Sequence, residues 1–323
     1  MNAFEWADAC SIQDVFAVNV KGSAIKAGGV DLVDLMKEGI ANPARVINIR
    51  NIAGLNQINM DAGVAKIGPL ATLSALAEHA GLKQTYTALA QAAAAAATPQ
   101  IRNMATVGGN LLQRPRCWYF RNDQFACARK GGDLCYAQRG ENQYHAIFQN
   151  GLCAIVHPSA AATPLVAMNA TIELTGPKGK REMPLEEFFV MPNVNLHAEN
   201  KLEPDEILTE IRIPALQAGT RSHYVKQAEM ESHDWPIAEA VAVLQMDDKI
   251  CKKASIVLGA AAPTPRRATE VETAITGKEI TAELARSAAK AALRRATPMT
   301  QNRYKLAMFE AVISRAIMRA AAI

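Results

Sequence analysis

Four cysteines that lie close together in the chain are the residues most able to do chemistry. They are separated by 10, 8 and 18 positions, at Cys117, Cys127, Cys135 and Cys153. No Cys-x-x-Cys pair is present, which argues against an ordinary zinc ribbon and departs from the compact ferredoxin spacing. Four thiolates on a long segment can still enclose one metal centre, because the cost of closing a loop rises slowly with its length. Spacing alone leaves a [4Fe–4S] cluster, a Zn²⁺ site and unligated buried cysteines equally open.

The residues around these cysteines also indicate a binding site. Only 5% of the chain is aromatic, yet four aromatic residues lie between the first two of these cysteines, namely Trp118, Tyr119, Phe120 and Phe125. In a chain with no visible export signal, clustered cysteines indicate metal or redox chemistry rather than disulfides. Cys10 and Cys251 lie apart, in patterned elements, and are predicted to be ordinary core residues.

Two Gly-Gly turns, about 80 residues apart, indicate a second kind of chemistry. The first lies in Ile25-Lys26-Ala27-Gly28-Gly29-Val30-Asp31-Leu32, and the second lies in Ala105-Thr106-Val107-Gly108-Gly109-Asn110-Leu111. Glycines between a strand and a helix let backbone N–H groups approach a phosphate closely. A single such turn is more often only a tight turn, but two could hold an extended dinucleotide from both sides, with Thr106 and Asn110 adding a hydroxyl and an amide. The Rossmann fingerprint G-x-G-x-x-G is absent, so a Rossmann fold is not predicted.

The elements that must position these residues can be read from hydrophobic periodicity and helix-capping residues. Ser23–Lys26 is predicted to be a buried strand that enters the first glycine turn, and the alanine-rich helix Tyr86–Ala97 is predicted to end at Pro99 before the second turn. We predict further helices that begin after Ser11 and Thr72. Strands are predicted at 45–49, 64–68, 170–174, 206–213, 222–229, 238–245 and 252–258, with a short helix at 185–189 and two long helices near 281–296 and 302–321.

Length and composition limit the broad class of the protein. The chain has 323 residues, of which 50% are hydrophobic and 20% charged, with a net charge of +4. This is typical of globular proteins with two domains and gives no indication of nucleic-acid binding. We predict an α+β fold with domains at 1–216 and 217–323. No signal peptide or membrane-spanning run is visible, so the sequence predicts a cytoplasmic protein, although co-export to the periplasm with a signal-bearing partner would leave no trace in this chain.

The two glycine loops resemble the flavin-binding loops of one known family. Residues 25–32 and 105–111 are similar to those in the FAD-binding (medium) subunits of molybdenum hydroxylases, which include xanthine dehydrogenase, aldehyde oxidoreductase and carbon monoxide dehydrogenase. Residues 224–226 and 256–266 resemble the family's C-terminal flavoprotein domain. The cysteine segment, near 113–153, resembles the subset with an additional [4Fe–4S] cluster, to which periplasmic aldehyde oxidoreductases belong.

The resemblance implies a fold, cofactors and partners. The fold would be a two-part FAD-binding domain of the PCMH, or vanillyl-alcohol-oxidase-like, type, followed by a smaller α+β domain of the CO dehydrogenase flavoprotein type. FAD would lie between the two loops, in contact with all eight residues of Ile25–Leu32 and with Thr106, Gly109 and Asn110. By family position, Leu208 and Lys226 would contact the flavin ring. Cys117, Cys127, Cys135 and Cys153 would hold the [4Fe–4S] cluster.

In such a complex, a heterotrimer or its dimer, a molybdopterin-binding subunit would oxidise an aldehyde or N-heterocycle, and a [2Fe–2S] subunit would pass electrons to FAD on this chain. NAD⁺, a quinone or another molecule would be the external acceptor. Two positions depart from the family pattern: Val30 replaces a usual threonine, and Ala160 replaces an aspartate found in many relatives. Asp31 and Asp34 lie elsewhere in the chain than position 160, so they are not assigned the role of that aspartate.

Two other functions are consistent with parts of the sequence. A self-sufficient flavin oxidase would need its own substrate pocket, but the six histidines are scattered and offer little support for one. A zinc-stabilised assembly module without flavin would explain the cysteines but not the paired glycine loops. Trp235 is predicted to be a packed aromatic residue rather than a contact for a ligand.

Overall fold

The computed structural model describes residues 1–230 and 233–321, and it has the mixed helix and sheet composition that the sequence predicts. Twelve strands form three separate sheets in this part of the chain. No helix among these residues is long and apolar enough to cross a membrane. The segment that carries four cysteines belongs to none of the sheets, and it contacts both the N-terminal residue Leu35 and the C-terminal residues Ala261 and Asn302.

The N-terminal sheet is small and parallel, with the strand order β1-β3-β2. Its strands are β1 (Glu5–Asp8), β2 (Ser23–Lys26) and β3 (Arg45–Asn48). Helix α1 (Ile12–Val18) follows β1 and helix α2 (Val30–Lys37) follows β2. Ser11 caps α1 in a capping box with Asp14, as its position before the first apolar residue predicts. Strand β2 is half-buried throughout, rather than fully buried as the sequence suggested.

The second sheet is antiparallel and has the strand order β4-β5-β8-β6-β7. Its strands are β4 (Ile58–Asp61), β5 (Val64–Ile67), β6 (Thr171–Gly176), β7 (Gly179–Pro184) and β8 (Ile207–Ile213). Short helix α9 (Leu185–Phe188) follows β7. Apolar side chains from this sheet pack with those of the alanine-rich helix in one core, which also includes residues of the C-terminal sheet.

A group of short helices connects the second sheet to the cysteine segment. They are α3 (Leu73–Glu78), α4 (Ala80–Thr85), α5 (Thr87–Ala95), α6 (Pro99–Met104) and α7 (Val107–Leu112). The prediction that Pro99 ends the alanine-rich helix is wrong. That helix ends at Ala95, Ala97 adopts a left-handed φ of 44°, and Pro99 occupies the first turn of α6, where its missing N–H costs nothing.

The C-terminal part of the chain is an antiparallel sheet covered by helices, with the strand order β12-β11-β10-β9. Its strands are β9 (Thr220–Gln227), β10 (Ala238–Asp247), β11 (Ile250–Gly259) and β12 (Arg266–Arg267). Its helices are α10 (Thr269–Ile275), α11 (Ala282–Ala292) and α12 (Lys305–Ala320). Helix α5 packs against β9, and α8 (Ala162–Ala167) packs against β10 and β11, so this sheet shares a core with the preceding part of the chain.

Candidate cofactor sites

The two glycine loops line one large cavity. This cavity has a volume of about 660 Å³, which lies within the usual range for small-molecule and cofactor sites. Both loops line it, together with residues from β8, β9 and the segment that precedes β10. All thirteen residues predicted to contact a flavin line the cavity: Ile25, Lys26, Ala27, Gly28, Gly29, Val30, Asp31, Leu32, Thr106, Gly109, Asn110, Leu208 and Lys226.

The first loop presents an uncapped helix start to the cavity. Strand β2 ends at Lys26, and Gly29 has a left-handed φ of 81° at the N-cap of α2, without a side-chain cap. The first N–H groups of a helix have no acceptor within the helix, so they suit an anionic ligand. Gly28 is required for a different reason, because a Cβ there would overlap the carbonyl oxygen of Met104. The two loops are therefore in direct backbone contact.

The second loop uses its polar side chains mainly for its own structure. The Thr106 hydroxyl oxygen accepts a hydrogen bond from the Gly109 N–H at 3.1 Å and caps α7. The Asn110 side-chain oxygen accepts hydrogen bonds from Ser159 Oγ at 2.7 Å and from the Ala161 N–H at 3.1 Å. The Asn110 amide nitrogen has no acceptor among the described residues, so it is the side-chain group of this loop that is left for a ligand.

The Asp31 carboxylate binds arginines of the cysteine segment. Its oxygens lie 2.6 Å from Arg121 Nη2 and 2.7 Å from Arg116 Nη1, and one of them accepts the Arg114 N–H at 2.9 Å. Asp34 lies 3.0 Å from Arg121 Nη1. The carboxylate of Asp31 thus ties the first loop to the start of the cysteine segment, and its backbone remains the part suited to a ligand.

The C-terminal sheet supplies the remaining wall of the cavity. Tyr224 and Lys226 on β9 line it, and Leu208 lines it from β8. Lys226 Nζ donates a hydrogen bond to the Ala95 carbonyl at 3.0 Å, and burial lowers the pKa of this lysine. Trp235, predicted to be packed, is 52% exposed; it lines the cavity and stacks on the Arg116 guanidinium at 4.8 Å.

A buried carboxyl group behind this wall was missed by sequence reasoning. Glu239 on β10 is 1% exposed and accepts hydrogen bonds from Tyr224 Oη at 2.5 Å and Thr163 Oγ1 at 2.8 Å. Burial raises the pKa of Glu239 to about 7, although the two hydroxyl groups oppose this shift. The available signal was a single acidic residue within the apolar strand sequence Ala238–Met246.

The four clustered cysteines line a second, much smaller cavity, together with His145 and Arg129. The other two cysteines are elsewhere: Cys251 is buried in the C-terminal core as predicted, whereas Cys10 is exposed, so the prediction that Cys10 is a core residue is wrong. Cys10 lies two residues after the end of β1 and just before Ser11, the N-cap of α1, where its side chain is exposed.

The small cavity fits a metal centre by its chemistry rather than by its present volume. It measures about 20 Å³, room for one water molecule, and no three His, Cys, Asp or Glu side chains in residues 1–230 and 233–321 are arranged to hold a metal ion as they stand. Four soft sulfur donors nevertheless suit iron or zinc. Buried nitrogen atoms of Arg129 and His145 have no hydrogen-bond partner in this part of the chain.

The protonation of the thiols differs from one cysteine to the next. The Cys135 thiol donates to Cys153, which lowers the pKa of Cys153, with a further contribution from Arg129. The same contact raises the pKa of Cys135. Burial raises the pKa of Cys117 to about 11, so without a metal this residue is a neutral thiol. A metal would displace these protons, because thiolates are the form that ligates.

The two cavities are adjacent along the chain and in space. Arg116 lines the large cavity, and the next residue, Cys117, lines the small one. The Arg116 guanidinium contacts both Asp31 and Trp235, which line the large cavity. Ligands in the two cavities would therefore be separated only by a wall that contains Arg116 and Cys117.

Comparisons with known proteins match nearly the whole chain. Residues 2–216 match the FAD binding domain in molybdopterin dehydrogenase, and residues 223–320 match the CO dehydrogenase flavoprotein C-terminal domain. The aldehyde oxidoreductase FAD-binding subunit PaoB of Escherichia coli is 33% identical over 78% of this chain and 78% of its own length. The carbon monoxide dehydrogenase medium chain of Hydrogenophaga pseudoflava is 28% identical over 90% of this chain and 86% of its own length.

A solved structure shows the same architecture. Carbon monoxide dehydrogenase from Hydrogenophaga pseudoflava, in a form that lacks the Mo-pyranopterin moiety, superimposes with a TM-score of 0.77 and 26% identity, covering 99% of this chain and 98% of that one. The expected fold, with a FAD-binding domain and a CO dehydrogenase flavoprotein C-terminal domain, is confirmed. The chain belongs to the family of FAD-binding subunits of molybdenum hydroxylases, and it is an oxidoreductase subunit.

Proposed function

We propose that the chain relays electrons between partner subunits and an external acceptor, with FAD in the large cavity and a [4Fe–4S] cluster held by Cys117, Cys127, Cys135 and Cys153. One observation carries the proposal: the four cysteines line a single cavity that adjoins the flavin cavity. Cys117 lines the cysteine cavity, and the residue before it, Arg116, lines the flavin cavity. Two electron carriers would then lie close together, as a relay requires.

The residues of the large cavity would bind and orient FAD. The uncapped start of α2 suits the pyrophosphate, and the left-over Asn110 amide suits a phosphate or ribose oxygen. Leu208 and Tyr224 would exclude water from the ring, beside the ammonium of Lys226. Bound FAD supplies a centre that exchanges electrons singly or in pairs, while the protein supplies position and environment. Val30 and Ala160 also line the cavity, where they offer no side-chain hydrogen bond.

Iron is favoured over zinc at the cysteine site because the surroundings suit an electron carrier. The unpartnered N–H groups of Arg129, and His145 Nε2 beside Cys117, would meet the sulfur atoms of a cluster. The site also lies beside the flavin cavity, where a zinc ion would have no electron to transfer. PaoB, which is 33% identical over 78% of this chain, is named as the FAD-binding subunit of an aldehyde oxidoreductase.

The partners and the boundaries follow from the same proposal. A molybdopterin-binding subunit would oxidise an aldehyde or an N-heterocycle, and a [2Fe–2S] subunit would deliver electrons to this chain. We propose domains at 1–216 and 217–323, since residue 216 precedes β9, the first strand of the C-terminal sheet. We also propose a cytoplasmic location, or a periplasmic one by co-export with a signal-bearing partner.

Anaerobic purification of the full chain tests the proposal. Released flavin should be close to one FAD per chain, with about four irons and four sulfides and no stoichiometric zinc. A colourless protein with one zinc ion would show that the chain is a zinc-stabilised assembly module and not an electron relay. A protein that contains flavin but no iron would support the FAD-binding role and contradict the proposed cluster. Turnover of an aldehyde by the isolated chain would instead indicate a self-sufficient oxidase.

A further inference from the structure

The wall of the cysteine cavity contains a buried guanidinium that is only partly used. Arg129 is 4% exposed, and its Nη1 bonds Glu199 Oε1 at 2.6 Å. Its Nε and Nη2 atoms are buried and have no hydrogen-bond partner within the described ranges. An unmet buried N–H is costly, so such groups in a protein usually serve a ligand or a mechanism. Arg129 and Cys153 line the same small cavity, and the guanidinium helps to lower the pKa of the Cys153 thiol.

A second nitrogen in the same wall contacts another cysteine. His145 is 4% exposed, and its Nε2 lies 3.2 Å from Cys117 Sγ. Its ring packs edge-on against Trp118, with the ring centroids 5.4 Å apart. Its carbonyl accepts hydrogen bonds from Asn302 Nδ2 at 3.1 Å and from Lys305 Nζ at 3.0 Å. Side chain and backbone are thus both held, so the ring keeps its place beside Cys117.

We propose that His145 and Arg129 are positioning residues that donate N–H bonds to the sulfur atoms of metal-bound Cys117 and Cys153 and so raise the reduction potential of the iron–sulfur centre. This inference rests on the proposed function, because it requires a cluster on the four cysteines. A ligating thiolate carries no proton, so in that state the histidine nitrogen at 3.2 Å is the donor.

The sign of the effect follows from charge. Reduction adds one negative charge to a centre that already carries four thiolates, and a buried apolar site disfavours the more negative form. Hydrogen bonds to the sulfurs and a nearby guanidinium stabilise that form, and such contacts are among the features that set cluster potentials. Removal of either donor should therefore make the cluster harder to reduce.

The test is a redox titration of the cluster in the full chain, followed by electron paramagnetic resonance. The variants are His145→Leu, which has no donor, and His145→Gln, which keeps an N–H group. His157→Phe is the matched control, because His157 is equally buried but packs against Phe189, at 4.4 Å between ring centroids. We expect His145→Leu to lower the ratio of reduced to oxidised cluster at a fixed potential about tenfold, or about 59 mV for one electron. His145→Gln should fall between it and the unaltered chain, and the control should match the unaltered chain.

Arg129 needs a pair of variants, because its loss leaves Glu199 without one of its cations. Arg129→Lys keeps the positive charge and should shift the titration less than Arg129→Met. Bound flavin and the melting temperature report whether each variant has folded, independently of the cluster. If Arg129→Met does not fold, the lysine variant alone decides, since it must still lower the reduced fraction.

Three results would overturn the proposal, and each is distinguishable. Unchanged titrations in His145→Leu and in the folded arginine variants would show that neither residue sets the potential. Loss of iron in His145→Leu but not in Cys117→Ser would make the histidine a ligand rather than a donor. An unaltered chain that holds flavin but no iron would remove the proposed cluster itself, before any variant is compared.

Discussion

The contact between the two glycine loops gives the sharpest test of the flavin cavity. A methyl group on Gly28 would overlap the Met104 carbonyl oxygen and stand 2.9 Å from its carbon. The overlap with the oxygen is the deeper of the two, so one loop must move by about 1 Å or more to reach ordinary contact, and both contacting atoms are backbone. Gly28 is not among the glycines with a positive φ, so the effect of Gly28→Ala is a steric one.

The methyl group of Gly28→Ala would overpack the contact between the loops, at a cost in free energy. Extra methyl groups in close-packed sites typically cost about 1–3 kcal/mol. If the displaced loop must return to its place when FAD binds, this corresponds to a rise in the FAD dissociation constant of about fivefold to 140-fold, since about 1.4 kcal/mol is tenfold. Titration of flavin-free protein, followed by quenching of flavin fluorescence, measures that constant directly.

The matched control is Gly151→Ala, because a Cβ at Gly151 meets nothing within 4 Å and its φ is not positive. The control should bind FAD within about twofold of the unaltered chain. Equal FAD affinity and equal melting temperatures in Gly28→Ala and Gly151→Ala would refute the reasoning. It would show that the loops do not clamp a common ligand through this contact.

Three further predictions concern the cysteine segment and the buried carboxyl group. Cys127→Ser should lose iron, measured by iron and sulfide content, while FAD is largely retained; joint loss of both would contradict separable sites. Asp31→Asn should lose both cofactors and lower the free energy of unfolding by on the order of 2 kcal/mol, because Arg116 and Arg121 would then share only the half-exposed carboxylate of Asp34; an unchanged melting temperature would contradict this tie. Glu239 has a pKa of about 7 in the folded chain and about 4.5 as a free group, so its contribution to stability is present below pH 4.5 and is lost as the pH rises through 7. The free energy of unfolding of the unaltered chain, measured with denaturant, should therefore fall by up to about 3 kcal/mol relative to that of Glu239→Gln between pH 4.5 and 7. Parallel plots of unfolding free energy against pH for the two proteins would contradict the raised pKa of Glu239.

The flavin cavity could be anticipated from sequence because its chemistry is local. A strand, a glycine pair and a helix start are adjacent in the chain, so the sequence around Gly28 and Gly29 is enough to predict the first binding loop. The capping residues Ser11 and Thr72 were also readable, since each bonds a backbone N–H three residues later. These features depend on neighbours within one turn.

The features missed by sequence depend on distant partners. Glu239 is buried because Tyr224 and Thr163 reach it from other elements, and no local pattern announces that contact. Arg129 and His145 each resemble ordinary polar residues until the loop closes around the cysteines. At Pro99 the local signal was misread, because proline both stops one helix and suits the first turn of the next.

The way in which the cysteine segment is closed has a consequence for biosynthesis. Residues 142–150 are pinned by groups about 150 positions later in the chain, including Thr300, Asn302 and Lys305. Those residues leave the ribosome long after Cys153 does. Until they dock, the hydrogen bonds that hold residues 142–150 are absent, so the segment that contains the thiols can reach its closed form only after the last helix of the fold has been synthesised.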